Sequence, residues 1–330
     1  MAFGLATGGT TPAIYPSGSS APSTAYSGTF IPEIWSSKLV EKFYASTVLA
    51  AISNTDYEGE IRSYGDKVQI RTKPTLTIND YLAMGDLTVE RPSADKITLN
   101  IDKGKYFAAS LDDVMKVQAD INMMSLWSDD AGQQMKISID RSVLAGILNG
   151  ATATTNRGTA AGAISADINL GATTTPIALV SNSPASGQVD VLDAILRAGQ
   201  VLDEANIPEE GRWIVIPTWM STMIKKSELR QAYMSGDSQT MIRNGRLGMV
   251  DRFTVYVSNL LPAGVSGGLA AGETAVYAGI SHALTFASQM TQMETLRSER
   301  TFGTIIRGLQ VFGYKVVDGS AMAQLIVSKA

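Results

Sequence analysis

Apolar residues recur along this chain at two spacings, four and two, and the changes between them divide it into segments. From Pro32 the spacing is helical: Trp35, Leu39 and Phe43 repeat every four residues, with Val40 and Tyr44 beside them. That predicts a short docking helix with one apolar face. From about 57 to 108 alternation takes over. Val68 and Ile70 alternate with Lys67, Gln69, Arg71 and Lys73, and a return limb sets Ile97, Leu99 and Ile101 against Lys96, Thr98, Asn100 and Asp102. Pro74, Gly85 and Pro92 lie between the limbs and interrupt strand structure. The prediction is a long two-stranded excursion, apolar on one face and largely basic on the other. A lone hairpin is marginal in water, so the apolar face needs cover from its own core or from another subunit. Because the excursion reaches away from its core, a neighbouring subunit is the expected cover.

Helical spacing returns after the hairpin. Ser110, followed three residues later by Asp113, has the form of a helix N-cap and introduces Val114, Met115, Val117, Ile121 and Met124. A second stripe, Ala131, Met135, Ile139, Val143 and Ile147, stops at Asn149 and Gly150. Joined end to end, the two stripes make a spine of roughly 50 Å at about 1.5 Å per residue. Asp112 with Asp113, and Asp129 with Asp130, read as carboxylates at helix starts, where they complement the helix dipole. Residues 151–187 are rich in Gly, Ala, Thr and Ser and read as loop or weak strand, with nothing in the pattern to place them. An α/β lobe begins near Gln188, where Val191, Leu192, Ile195, Ala198, Leu202 and Ala205 form an amphipathic helix that Pro208 ends. A turn at Glu210 and Gly211 leads into a buried-strand run from Trp213 to Ile216, and from about Ala275 alternating strands continue to the end.

Composition sets limits on partners and chemistry. Residues 1–30 are almost wholly Gly, Ala, Ser, Thr and Pro, with Phe3, Tyr15 and Tyr26 among the few larger groups. Such a segment cannot fold alone, so it is expected to be an arm held by a neighbouring subunit. The absence of cysteine excludes a disulfide framework, a thiolate metal site and a cysteine nucleophile. A net charge of −4 lacks the basic excess of a nucleic-acid binder, so contact with DNA is expected to be weak and not sequence-specific. The first basic residue is Lys38, so the start lacks the charged region of a signal peptide, and no apolar run approaches the ~18 residues of a membrane span. The expectation is a chain that is neither exported nor placed in a membrane.

Candidate chemistry is sparse. Gly264, Ser266 and Gly268 match G-x-S-x-G, with Glu273 and His282 following in the hydrolase order. A nucleophile elbow needs a strand before the serine and a helix after it. Here a proline-ended strand leads into a Gly and Ala loop, so a hairpin tip is the better reading. His282 is the only histidine, which rules out multi-histidine zinc sites. Ser93 with Lys96 matches S-x-x-K without companion motifs. No catalytic, cofactor-binding or metal-binding residue is expected, and no cofactor.

Four stretches carry a family resemblance. "GDKVQI" at 65–70, "VLDEANIPEEGRWIVIP" at 201–217, "GRLGMVDRFTVYVSNLLP" at 245–262 and "FGTIIRGLQVFGYKVV" at 302–317 resemble, respectively, parts of the major capsid proteins of tailed double-stranded-DNA bacteriophages. Those parts are the start of the extended loop, a helix-to-strand junction, a hairpin followed by Ser-Asn and a proline, and the closing strands. The resemblance implies an α+β protein with the Hong Kong 97-type capsid fold. Its parts would be an N-terminal arm (1–31), a docking helix leading into the peripheral domain (32–56), an extended β-hairpin loop (57–108), a peripheral domain with a long spine helix (109–187), an axial domain (188–290), and return strands of the peripheral domain (291–330).

The same resemblance implies a homo-oligomer: self-assembly in the host cytoplasm into an icosahedral shell of pentamers and hexamers. That shell would be the virion capsid around double-stranded DNA, with scaffolding, portal and decoration proteins as further partners. The expected inter-subunit contacts are Val68, Ile70, Ile97, Leu99 and Ile101 with Lys67, Arg71 and Lys73 on the loop, and Phe3, Tyr15 and Tyr26 on the arm. Some proteins of this fold link subunits by a lysine to asparagine isopeptide bond. Lys67, Lys73 and Lys96 could offer the amine, but the sequence identifies no acceptor, so non-covalent assembly is expected. An encapsulin-type compartment shares the fold, but its usual start is a helix, and the Gly, Ser and Thr arm argues against it.

Overall fold

The computed structural model describes residues 44–56, 67–72, 74, 76–80, 89–92, 96–113, 123–148, 152–227, 248–264, 268–299 and 302–330. The docking helix expected at Trp35 to Phe43 lies outside them, as do Val114, Met115, Val117 and Ile121 of the first spine stripe. In chain order the elements begin with α1 (Leu49–Ile52), β1 (Lys67–Arg71), β2 (Lys96–Asn100), β3 (Lys103–Asp112), α2 (Met123–Leu148), β4 (Ile177–Val180), β5 (Gln188–Asp190) and α3 (Val191–Glu204). They continue with β6 (Arg212–Ile216), α4 (Thr218–Lys226), β7 (Met249–Val250), β8 (Phe253–Val257), β9 (Glu273–Ile280), β10 (Leu284–Arg297), β11 (Gly303–Val316) and β12 (Met322–Lys329).

Three sheets result. β1 and β2 form a two-stranded ribbon, β10, β11 and β3 an antiparallel sheet in that order, and seven strands a mixed sheet in the order β5-β4-β12-β9-β6-β8-β7. β6 shows why the mixed sheet forms. All five of its residues, Arg212 to Ile216, are buried, and the apolar run Trp213 to Ile216 suits a strand whose two faces are both covered. Ile214 and Ile216 enter one core with Ile195, Ala198 and Leu202 of α3 and with Met220 and Ile224 of α4. Trp213 and Val215 enter the other, with Ile139, Val143, Leu144 and Ile147 of α2. The helix stripe expected at Val191 to Leu202 is therefore the face that α3 lays on the sheet, and the second spine stripe is the face of α2.

Several expectations are corrected. Ser110 caps no helix: it pairs with Ile305 inside β3, which runs on through Asp112. The Ser-x-x-Asp pattern imitates a cap, but ten residues of pairing with β11 outweigh it. Asp129 and Asp130 stand within α2, not at a helix start. The described part of the spine is the 26-residue α2, about 39 Å long, which carries the second stripe. Residues 152–180 belong with the mixed sheet, since Ala161, Ile168, Leu170, Ile177 and Leu179 lie in the α3 core and β4 pairs in parallel with both β5 and β12. β12 departs from the expected return to the peripheral part. It inserts between β4 and β9, because its run Met322 to Val327 is buried and needs two covered faces.

Candidate assembly surfaces

The two limbs pair antiparallel with Val68 opposite Leu99 and Ile70 opposite Ile97, which gathers the alternating apolar residues on one face. Its apolar face, however, is covered by its own chain. Ile70, Leu99 and Ile101 form a cluster with Ala287 of β10, ringed by Val68, Ile97, Val311 and Val317. Leu99 is fully buried. The expectation that a neighbouring subunit covers this face is thereby corrected. The root of the excursion lies on the three-stranded sheet because β2 leads within three residues into β3, and Gly313 of β11 allows the approach: a Cβ there would fall on the carbonyl oxygen of Asn100. Lys67 and Arg71 lie exposed on the opposite side with Lys96. Lys73, Phe3, Tyr15 and Tyr26 lie outside the described residues.

Uncovered apolar groups do occur farther along the loop. Leu76, Ile78 and Val89 are 60%, 91% and 91% exposed. The backbone N–H of Thr77 donates to the carboxylate of Glu90 at 3.3 Å, tying the outgoing limb to the returning one.

A second open surface is the face of the three-stranded sheet turned away from α2. Register places Tyr106, Ala108 and Ser110 of β3 beside Leu309, Arg307 and Ile305 of β11, and these beside Gln292, Glu294 and Leu296 of β10. Tyr106 is 80% exposed, Leu296 and Leu309 are partly so, and Arg307 bridges Glu294 at 2.7 Å in the middle of the face. On the opposite face Phe107 lays its ring where a Cβ at Gly308 would sit. The alternation from Lys103 to Asp112 is the signal that could have revealed this sheet face; the cap pattern at Ser110 masked it.

The described partners of the G-x-S-x-G match do not come together. Ser266 lies outside the described residues; Glu273 opens β9 and His282 lies in the short turn just past its far end, roughly 25 Å away. The Glu273 carboxylate instead accepts the backbone N–H of Ala270 at 2.8 Å, within the loop that precedes β9. Among the described residues no group of three or more His, Asp and Glu could hold a metal ion, and no helix is long and apolar enough to cross a membrane.

Two ionic anchors shape the end of α3, and neither was legible in the sequence because their members are far apart in the chain. Glu204 accepts the backbone N–H groups of Ile164 (2.9 Å) and Ser165 (3.1 Å), the Ser165 hydroxyl (2.8 Å) and the Gln200 amide (3.2 Å). The two backbone donors do most to hold its carboxyl down at about 2. Asp203 bridges the buried Arg212 (2.7 Å) and the half-exposed Arg252 (2.8 Å). Burial pushes the Asp203 carboxyl up, but the hydrogen bonds from the two guanidinium groups outweigh it and hold the group below its usual range.

A sequence model of the family described as phage capsid protein matches residues 95–325. No curated protein matches the chain. Among solved structures, one from Mycobacterium phage Che8 is 26% identical with a TM-score of 0.71, covering 91% of this chain and 98% of its own. The capsid structure of the cyanophage P-SCSP1u is 16% identical, with a TM-score of 0.68 and coverage of 91% and 94%. The capsid of Ralstonia phage GP4 is 13% identical, with a TM-score of 0.59 and coverage of 94% and 99%.

Proposed function

The chain belongs to the phage capsid protein family, and from that premise we propose how this structural major capsid protein builds its shell. Copies associate in the host cytoplasm as pentamers and hexamers that close into an icosahedral shell around double-stranded DNA. No sequence-specific contact with the DNA is needed. The observation that carries the reading is the set of apolar groups that one copy leaves uncovered: Leu76, Ile78 and Val89 on the loop, and Tyr106, Leu296 and Leu309 on the open sheet face. Apolar surface of this kind marks an interaction site.

In this reading the outer part of the loop lies across an adjacent subunit, while its root stays on its own sheet. Lys67 and Arg71 meet acidic groups of that neighbour, so assembly weakens as salt rises and screens the attraction. The arm, with Phe3, Tyr15 and Tyr26, is held by a neighbour in the same way. Scaffolding, portal and decoration proteins complete the particle. Negative-stain microscopy with sedimentation of the purified chain is the test. Closed shells or capsomer rings are expected, and a monomer that persists at high concentration would overturn the reading.

A further inference from the structure

Asp140 sits in the second half of α2 with only 1% of its surface exposed. Its Oδ2 accepts the backbone N–H of Val48, the residue that leads into α1, at 2.8 Å. Its Oδ1 has no hydrogen-bond partner among the described residues. Burial pushes the carboxyl above its usual range, opposed only by the Val48 N–H. A buried carboxylate with one oxygen unpaired is costly, and a neutral Asn could accept the same backbone N–H without the charge. The fold of the single chain gives no reason for the charge.

The surroundings suggest one. Asp140 lines a cleft together with Thr47, Ser53 and Thr55 of the α1 segment, Lys136 one turn earlier on α2, and Gln310 of β11. Hydroxyl and amide groups rim it, and Ile139 and Phe286 contribute apolar wall. Lys136 lies near but forms no ion pair with Asp140. The cleft thus combines a buried anion, one empty acceptor and a polar mouth, which suits an ammonium or guanidinium group.

We propose that Asp140 is the acceptor for a basic side chain that a second copy of the chain inserts into this cleft when the shell forms. The proposal rests on the shell reading above. A second copy is the fitting source because exposed cations such as Lys67, Arg71 and Lys96 have no acidic partner among the described residues. A neighbour in a shell also presents such groups at high effective concentration. Once the cation docks, Oδ1 gains a charge-assisted hydrogen bond away from water, and the cost of burying the carboxylate is offset in the assembled state alone.

The test compares the lone subunit with its assembly. Asp140→Asn keeps an oxygen for the Val48 N–H and removes the charge. The variant is expected to melt no lower than the wild type as a subunit, while its critical concentration for assembly rises about tenfold. Lys136→Met should leave the melting temperature of the subunit unchanged, and spermidine should not raise that of the wild type. An Asp140→Asn chain that assembles at wild-type concentrations would overturn the proposal and leave Asp140 as a cap for Val48. A fall in subunit stability shared by Asp140→Asn and Lys136→Met would place the pairing inside one chain. Stabilisation of the wild-type subunit by spermidine, lost in Asp140→Asn, would make a free polyamine the ligand; either result overturns the second-copy source. If the wild type itself does not assemble, the shell reading fails. If it assembles and Asp140→Asn is indifferent, only this proposal fails.

Discussion

The hydroxyl of Tyr277 donates a 2.9 Å hydrogen bond to the carbonyl oxygen of Leu144, fastening the central strand of the seven-stranded sheet to the closing turns of α2. Both residues are fully buried, and burial pushes the phenol far above its usual range, so it stays a neutral donor. Tyr277→Phe keeps the ring and removes the donor, with an expected cost of about 1 kcal/mol. Tyr277→Ala also empties the space of the ring and should cost about 3–5 kcal/mol. Urea unfolding of the subunit measures both, and equal losses would mean that the hydroxyl, not the ring, holds the two elements together.

The loop makes two opposite predictions along its length. At the root, Leu99→Ala opens a cavity inside the chain's own cluster and should destabilise the lone subunit by about 2–5 kcal/mol. Farther out, replacing Leu76, Ile78 and Val89 together by Ser should move subunit stability by no more than about 0.5 kcal/mol while lowering shell yield sharply. Thermal melting set against sedimentation separates the two, and a large loss of subunit stability in the triple variant would contradict the exposed placement of those residues.

Glu204 gives a pH dependence with a definite sign. Its folded carboxyl titrates at about 2, below the unfolded value of about 4.3. The stabilisation it provides is therefore complete above the unfolded value and is lost as pH falls through the window from there to about 2. The amide signals of Ile164 and Ser165 should report that low midpoint in an NMR titration. A midpoint in the ordinary glutamate range would show that the four hydrogen bonds do not persist in solution.

At Gly313 the backbone of β11 packs directly against the end of β2. A Cβ would strike the Asn100 carbonyl oxygen, a backbone atom that cannot swing aside as a side-chain tip could. Gly313→Ala should cost the subunit about 1–3 kcal/mol through overpacking, read by denaturant midpoint. Gly132→Ala, on α2 with open space around the new methyl group, should be neutral or stabilising by comparison.

What could be read from the sequence follows the range of the forces involved. The alternation of β1 and β2 and the buried stripe of α3 arise from spacings within a few residues, and both stand in the structure as expected. The cover of Ile70 and Leu99 comes from Ala287, Val311 and Val317, some two hundred residues away, and no local pattern announces such a partner. Ser110 misled for the same reason: its pairing with Ile305 is remote, while its resemblance to a cap is local. Asp140 looked like any polar residue on a helix, and only the packing of Val48 and the sheet against α2 makes its charge unusual.

The place of β12 bears on the order in which the protein is made. It is the last of the seven strands to leave the ribosome, yet it separates β4 from β9 in the finished sheet. Until it arrives, β4 and β9 carry bare edges and much of each core stands open to water, so the nascent chain cannot mature piecemeal from its front end. A polypeptide broken off before Met322 lacks the wedge that joins the two halves of the sheet. A prematurely terminated copy would therefore lack the strand that joins β4 to β9 and leave this sheet in two pieces.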